Sequence, residues 1–254
     1  MNQKLKVGLL GFGKAGKAVA AVLAQSPDVS LRWVIRNSNL HEHQSAIELL
    51  DVNSEDPAVI YSLKEFRTGK VLDSEPVEVL IDFSGKKTIM YYGPQVLKHK
   101  TAVVTAVSHY DEPEINYLNT LADQIPLLWS PNITIGVNFL MIASRVLKDI
   151  APQADIEIIE EHFKLKPELS GTAKKLAANL DVPEHQVNMI RAGGIIGKHE
   201  TLFGFPFQTI RLTHESISRE AFGSGALFAA TNMDRSIPGL FTMEDLLKPY
   251  FSMS

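Results

Sequence analysis

Residues 11–16 read Gly11-Phe12-Gly13-Lys14-Ala15-Gly16, a G-x-G-x-x-G turn. Its placement constrains the fold more than its glycines do. It follows the apolar run Leu5–Leu10 directly, and from Lys14 onward Ala15, Ala18, Val19, Val22 and Leu23 recur at helical spacing. Strand, tight turn and amphipathic helix in that order open a βαβ unit of the dinucleotide-binding kind. The first glycine permits the turn, the second lets a pyrophosphate approach the backbone, and the third lets helix and strand pack closely. The N–H groups and the positive dipole end of the helix then meet the phosphates. The plain alternative is a tight strand–helix turn with no ligand.

The residue at the end of the next strand bears on the choice of nucleotide. NAD-selective folds place an acid about 20 residues beyond the turn to accept bonds from the ribose hydroxyls. Here that position is Arg36, followed by Asn37 and Ser38. A guanidinium cannot accept those bonds, but its fork suits a 2′-phosphate. The sequence therefore favours NADPH, with NADH as the alternative.

Beyond the turn the first half alternates. Strands are expected at 30–35, 77–83, 101–107 and 125–129, with helices at 88–98 and 113–123, which implies a parallel sheet with right-handed crossovers. The stretch 37–70 gives no firm boundaries. After Pro131-Asn132 the grammar changes to a helix at 136–147, a strand at 154–162, three closely spaced strands at 186–192, 200–204 and 208–214, and a small-residue helix at 219–231. The expected fold class is α/β: a Rossmann-type dinucleotide-binding domain (1–130 and 219–254), interrupted by an α+β domain with a mixed open sheet (131–218).

Composition narrows the chemistry. The 254 residues include no cysteine, which excludes disulfides, thiolate metal sites and a cysteine nucleophile. A net charge of −4 leaves no basic stripe for nucleic acid. No apolar run approaches the roughly 20 residues that span a bilayer, and the polar start of the chain does not read as a signal peptide. The expectation is a cytoplasmic protein with no membrane or nucleic-acid partner.

The second domain carries one charged strand end: Glu160-Glu161-His162-Phe163-Lys164-Leu165-Lys166, then Ser170-Gly171-Thr172-Ala173. The Ser-Gly-Thr turn opens a helix whose N–H groups can hold a carboxylate, Lys166 can neutralise it, and His162 can move a proton near neutral pH. The plainer reading is a structural histidine beside a solvated lysine face. No metal site is expected.

Four segments together resemble the 4-hydroxy-tetrahydrodipicolinate (dihydrodipicolinate) reductases of the lysine pathway: the glycine turn; Ser130-Pro131-Asn132-Ile133-Thr134-Ile135-Gly136-Val137-Asn138; Ile156 to Ala173; and Ile190 to Glu200, continuing through Thr213 to Arg219 and into the Phe222 to Ala226 run. The resemblance implies the following roles. His162 would be the catalytic proton donor, and Lys166 a second donor and carboxylate partner. Gly171 and Thr172 would hold one substrate carboxylate, and Arg219 would lie near the other. Thr105, Ala106 and Val107 would contact the cofactor, and Ser130, Pro131, Asn132 and Ile133 would lie along the nicotinamide. It also implies a substrate and oligomerisation role for the second domain, and a homotetramer. The chain departs from the family pattern at Phe163, where a second histidine is usual. It also departs at Pro167-Glu168-Leu169, one residue shorter than the usual lead into the Ser-Gly-Thr turn, and in the abbreviated 177–189 connection.

The expected function is an NAD(P)H-dependent reductase of a cyclic carboxylated imine, 4-hydroxy-tetrahydrodipicolinate first. The alternatives are a paralogous imine reductase in another pathway, with Phe163 packing a more apolar substrate, and a nucleotide-binding regulator without catalysis.

Overall fold

The computed structural model describes residues 3–251. The chain contacts divide it into two compact units. One runs to Ile133 and takes back Phe222–Leu246; the other is Thr134–Ala221, joined by the chain from Leu247 on.

The first unit begins β1 (Leu5–Leu10), α1 (Lys14–Gln25), β2 (Val29–Arg36). The stretch 37–70, without firm boundaries in the sequence, folds as short pieces, α2 (Ala46–Leu50), β3 (Val59–Ser62) and α3 (Leu63–Phe66), and leads into α4 (Lys70–Ser74). Then follow β4 (Val79–Asp82), α5 (Ile89–His99), β5 (Ala102–Thr105), α6 (Glu112–Ala122) and β6 (Pro126–Trp129). With β11 (Gly239–Phe241) from the returning chain, all seven strands of its sheet pair in parallel, in the order β11-β6-β5-β4-β1-β2-β3. The central strands are apolar throughout because helices cover both sheet faces: Val7, Leu9, Leu31, Val79, Ile81 and Val103 are all completely buried. Gly8 is required within β1, since a Cβ there would lie 2.2 Å from the Trp33 ring.

The second unit contains α7 (Ile135–Ile150), β7 (Asp155–His162), α8 (Gly171–Leu180), β8 (Asn188–Arg191), β9 (Lys198–Gly204) and β10 (Thr209–Glu215). Its four strands run in the order β10-β9-β7-β8, with β7/β8 parallel and the other two pairs antiparallel. Val137, Leu140 and Met141 of α7 pack with Leu176 and Leu180 of α8 and with Ile158 and Phe203 of the sheet.

The chain then enters α9 (Glu220–Asn232), β11 (Gly239–Phe241) and α10 (Met243–Leu247). Gly223 of α9 sits where a Cβ would meet Val22 of α1 at 2.7 Å, so this helix packs closely on the first unit. The three-residue β11, too short to show a period, extends the parallel sheet beyond β6. One difference from the sequence reading concerns the end of the chain. Residues 247–251 group with the second unit and not the first, where Phe251 packs on Phe139 of α7 with ring centroids 5.1 Å apart. Among the described residues no helix is long and apolar enough to cross a membrane.

Candidate active site

In the first unit the glycine turn is built by steric necessity. Gly11 has φ +100°, and a Cβ there would strike the Phe83 carbonyl at 2.5 Å. A Cβ on Gly16 would lie 2.0 Å from the Gly11 carbonyl oxygen, so the first turn of α1 rests directly on the loop. The space above Gly13 is open, and no side chain caps α1. The backbone amides at this end are thus left facing an approachable surface. A cavity of about 570 Å³ opens there, lined by Gly11, Phe12, Gly13, Arg36, Asn37 and Ser84 among others. Lys14 and Ala15 form the first turn of α1. Arg36 ends β2 and donates to the Leu40 carbonyl at 3.1 Å. These residues fit a dinucleotide: a tight turn, an uncapped helix, and a cation at the end of the second strand.

Thr105 ends β5, fully buried, and shares a 2.7 Å hydrogen bond with the Tyr110 hydroxyl. Ala106 N–H donates to the Asp82 carbonyl and the Val107 carbonyl accepts from Trp129 Nε1, which fixes the loop after β5. Ser130 N–H donates to the Thr105 carbonyl at 3.0 Å, and Ser130 Oγ donates to the Asn132 carbonyl at 2.9 Å. That segment therefore hangs from β5, with Ser130 and Ile133 buried and Pro131 exposed. Beneath the cavity, Asp82 is completely buried at the end of β4, its Oδ1 accepting from Ser84 N–H and Oγ. Burial pushes its carboxyl up to about 6, against the hydrogen bonds from Ser84.

In the second unit β7 turns Ile158, Glu160 and His162 to one buried face. Register then assembles the rest: Arg191 of β8 lies opposite His162, and His199 of β9 opposite Glu160. His162 Nδ1 lies 2.8 Å from the Ile196 carbonyl, an acceptor only, so Nδ1 carries a proton. Nε2 is left buried without a hydrogen-bond partner, 3.8 Å from Glu160 Oε2. Gly197 gives this ring its room, since a Cβ there would meet His162 Cε1 at 2.8 Å. Burial lowers the His162 pKa, the Glu160 carboxylate pulls it back up, and His199 and Lys166 lower it further.

Glu160 itself is wholly buried. Ser170 N–H donates to it at 3.0 Å, and Arg191 Nη2 at 2.5 Å. His199 Nε2 lies 3.6 Å away. Burial alone would raise this carboxyl, but the nearby His199 and the hydrogen bonds from Ser170 and Arg191 outweigh it and hold the group well below the usual carboxylate range. Ser170 caps α8 by accepting from Ala173 N–H at 3.0 Å, and its Oγ also pairs with His199 Nε2 at 3.0 Å. Gly171 begins that helix with open space above it, and Thr172 follows half-buried. Arg191 also donates to the carbonyls of Lys166 and Glu168, each at 3.0 Å, which ties down the shortened 167–169 segment.

The structure thus links His162 and Ser170 through Glu160, ties in the Lys166 backbone carbonyl through Arg191, and places Gly171 and Thr172 at the start of α8 beside them. Phe163 is 44% exposed, and Arg219 lies exposed at the turn before α9, its charge beside Glu220. Glu160, Arg191 and His199 are functional residues that the sequence motifs do not mark, although period-two alternation puts Glu160 on the face of His162. Glu160, His162 and His199 bring ligand atoms within 4.8 Å of one another, a set able to hold a metal. The guanidinium already seated on that carboxylate opposes a second cation.

The first unit carries an open glycine turn at an uncapped helix start, and the second a tautomer-fixed histidine beside the Ser170 turn, a combination that fits a nicotinamide-dependent oxidoreductase. The chain belongs to the dihydrodipicolinate reductase family. The family's N-terminal model matches residues 5–133 and its C-terminal model residues 133–247. The 4-hydroxy-tetrahydrodipicolinate reductase of Caldanaerobacter subterraneus subsp. tengcongensis is 30% identical over 260 residues, covering 93% of this chain and 95% of its own. That of Wigglesworthia glossinidia brevipalpis is 28% identical over 247 residues, covering 92% and 89%. Among solved structures, a dipicolinate-bound dihydrodipicolinate reductase from Paenisporosarcina sp. superposes with a TM-score of 0.77 at 19% identity, over 96% of this chain and 99% of that one. The family is one of NAD(P)H-dependent reductases.

Proposed function

We propose that this chain reduces 4-hydroxy-tetrahydrodipicolinate, a cyclic imine dicarboxylate, using NADPH in preference to NADH, as a cytoplasmic homotetramer. The observation that carries the reading is the state of His162. Nδ1 is committed to the Ile196 carbonyl, so Nε2 is the one ring atom able to exchange a proton.

Gly11 to Gly16 and Arg36 would hold the nucleotide, with residues 105–107 and 130–133 along it. Reduced nicotinamide bound there supplies a hydride. Loss of the 4-hydroxyl as water leaves a ring double bond conjugated to the C=N, the hydride enters at that ring carbon, and negative charge develops on the ring. His162 Nε2 supplies the proton that neutralises it. The Gly171-Thr172 turn, Lys166 and Arg219 hold the two carboxylates and so orient the ring.

The test is NADPH oxidation with substrate generated in situ by the preceding synthase. His162→Gln is expected to lower turnover by roughly 10²–10⁴-fold with NADPH affinity unchanged; wild-type turnover in that variant defeats the role. Phe163 supports a second reading, because an exposed aromatic ring replaces a polar contact at the strand end. Inertness toward this substrate with intact NADPH binding, read by cofactor fluorescence, would favour a more apolar imine.

A further inference from the structure

We propose that Glu160 is the positioning residue of this site: its single carboxylate faces Nε2 of His162 on one side and fixes the Ser170 turn on the other, so one buried negative charge sets both proton delivery and carboxylate binding. The inference rests on the role given to His162 above.

A carboxylate with no solvent exposure is sustained only by full pairing. Oε1 receives the Arg191 guanidinium. Oε2 receives the Ser170 N–H and is then left with two imidazoles, His199 at 3.6 Å and His162 at 3.8 Å. In neutral His162 the Nε2 lone pair confronts a carboxylate lone pair, which is repulsive. A proton on Nε2 turns that confrontation into attraction. The carboxylate therefore stabilises the imidazolium at the atom from which the proton must leave.

The other groups around the ring act against it. His199 from β9 and Lys166 from the following loop disfavour the charged form, as does burial, while the Ile196 carbonyl favours it. His214 of β10 faces His199 and adds to the cationic side when charged. Glu160 is the one anion among these groups, so its removal takes away the attraction that favours the charged ring.

The same carboxylate organises the anion-binding side. Ser170 is held through its N–H by Glu160 and through its Oγ by His199, and it caps α8. Arg191 carries the carbonyls of Lys166 and Glu168 on the ion pair that neutralises Glu160. Lys166 and the turn are thus positioned by one buried pair.

Glu160→Gln keeps the shape and an acceptor for Ser170 N–H but removes the charge. Two readouts are required: the NMR titration of the His162 ring, and the pH profile of kcat with in situ substrate. The His162 midpoint is expected to fall by about one pH unit. The limb on which kcat declines with rising pH should move down with it, with kcat at pH 7.5 reduced roughly tenfold or more, NADPH affinity unchanged, and partial recovery in Glu160→Asp. Arg191→Gln, which unmasks the carboxylate, should move the midpoint the opposite way, and it serves if Glu160→Gln does not fold. An unmoved His162 midpoint, with kcat lowered equally at every pH, would overturn the proposal and leave Glu160 a purely structural group. If His162→Gln turns over normally while the midpoint shifts as stated, the electrostatic coupling stands and the function proposed for His162 fails.

Discussion

The glycine turn of the first unit and the Glu160–His162 network of the second are built by opposite means. The turn is a backbone device. Its amides, the positive φ of Gly11 and the missing Cβ of Gly16 shape it, and no side chain caps the helix behind it. The network is a side-chain device, assembled from β7, β8, β9 and the cap of α8, with a buried charge at its centre. A backbone site tolerates changes in neighbouring side chains but not the addition of a Cβ. A side-chain network is sensitive to every one of its polar partners.

The largest effect that would break this contrast is Gly16→Val. Its Cβ cannot be placed without moving either α1 or the Gly11 carbonyl, 2.0 Å away. NADPH affinity should fall at least about 100-fold, ~2.7 kcal/mol, in a fluorescence titration, while the His162 ring signals stay in place. Retained affinity would mean that the turn does not carry the nucleotide.

The same contrast explains what could be read from the residues alone. A backbone site is written locally: six consecutive residues, a strand before them and a helix after them. The parallel sheet was legible for the same reason, because its strands are buried on both faces and read as continuous apolar runs. The network is written in register. Glu160 and His162 are two apart, but Arg191 and His199 enter only once β8 and β9 are aligned on β7, and no local pattern states that alignment. The stretch 37–70 shows no pattern because its helices are four or five residues long, too short to repeat a helical period. The grouping of Phe251 with the second unit follows its contact with Phe139, which no local pattern states.

Asp82 tests whether the first unit is free of such buried charge. Its folded pKa, about 6, lies above the ordinary aspartate value, so the native state binds the proton more tightly than the unfolded chain does. No penalty exists below about pH 4, where both states are protonated. The penalty grows as pH rises and is complete above about 6, where the buried group must ionise without a partner on Oδ2. Asp82→Asn keeps the Oδ1 acceptor for Ser84 and cannot ionise. It should melt several degrees above the parent at pH 8 and together with it at pH 4. Equal melting at both values would show that Asp82 is solvated or paired in solution.

Arg36 sharpens the comparison from the other side, as a side chain at the rim of a backbone site. It lines the cavity and is held by the Leu40 carbonyl, with no part in shaping the turn. Its substitution should therefore change which nucleotide is preferred without abolishing binding. A glutamate at this position accepts ribose hydroxyls and repels a 2′-phosphate. For Arg36→Glu, the ratio of kcat/KM with NADPH to that with NADH should fall by about tenfold or more, at least ~1.4 kcal/mol, most of it through KM for NADPH. The NADH value should hold or improve. An equal loss with both nucleotides would place Arg36 among the groups that shape the turn, and the separation between backbone scaffold and side-chain selection would fail at that residue.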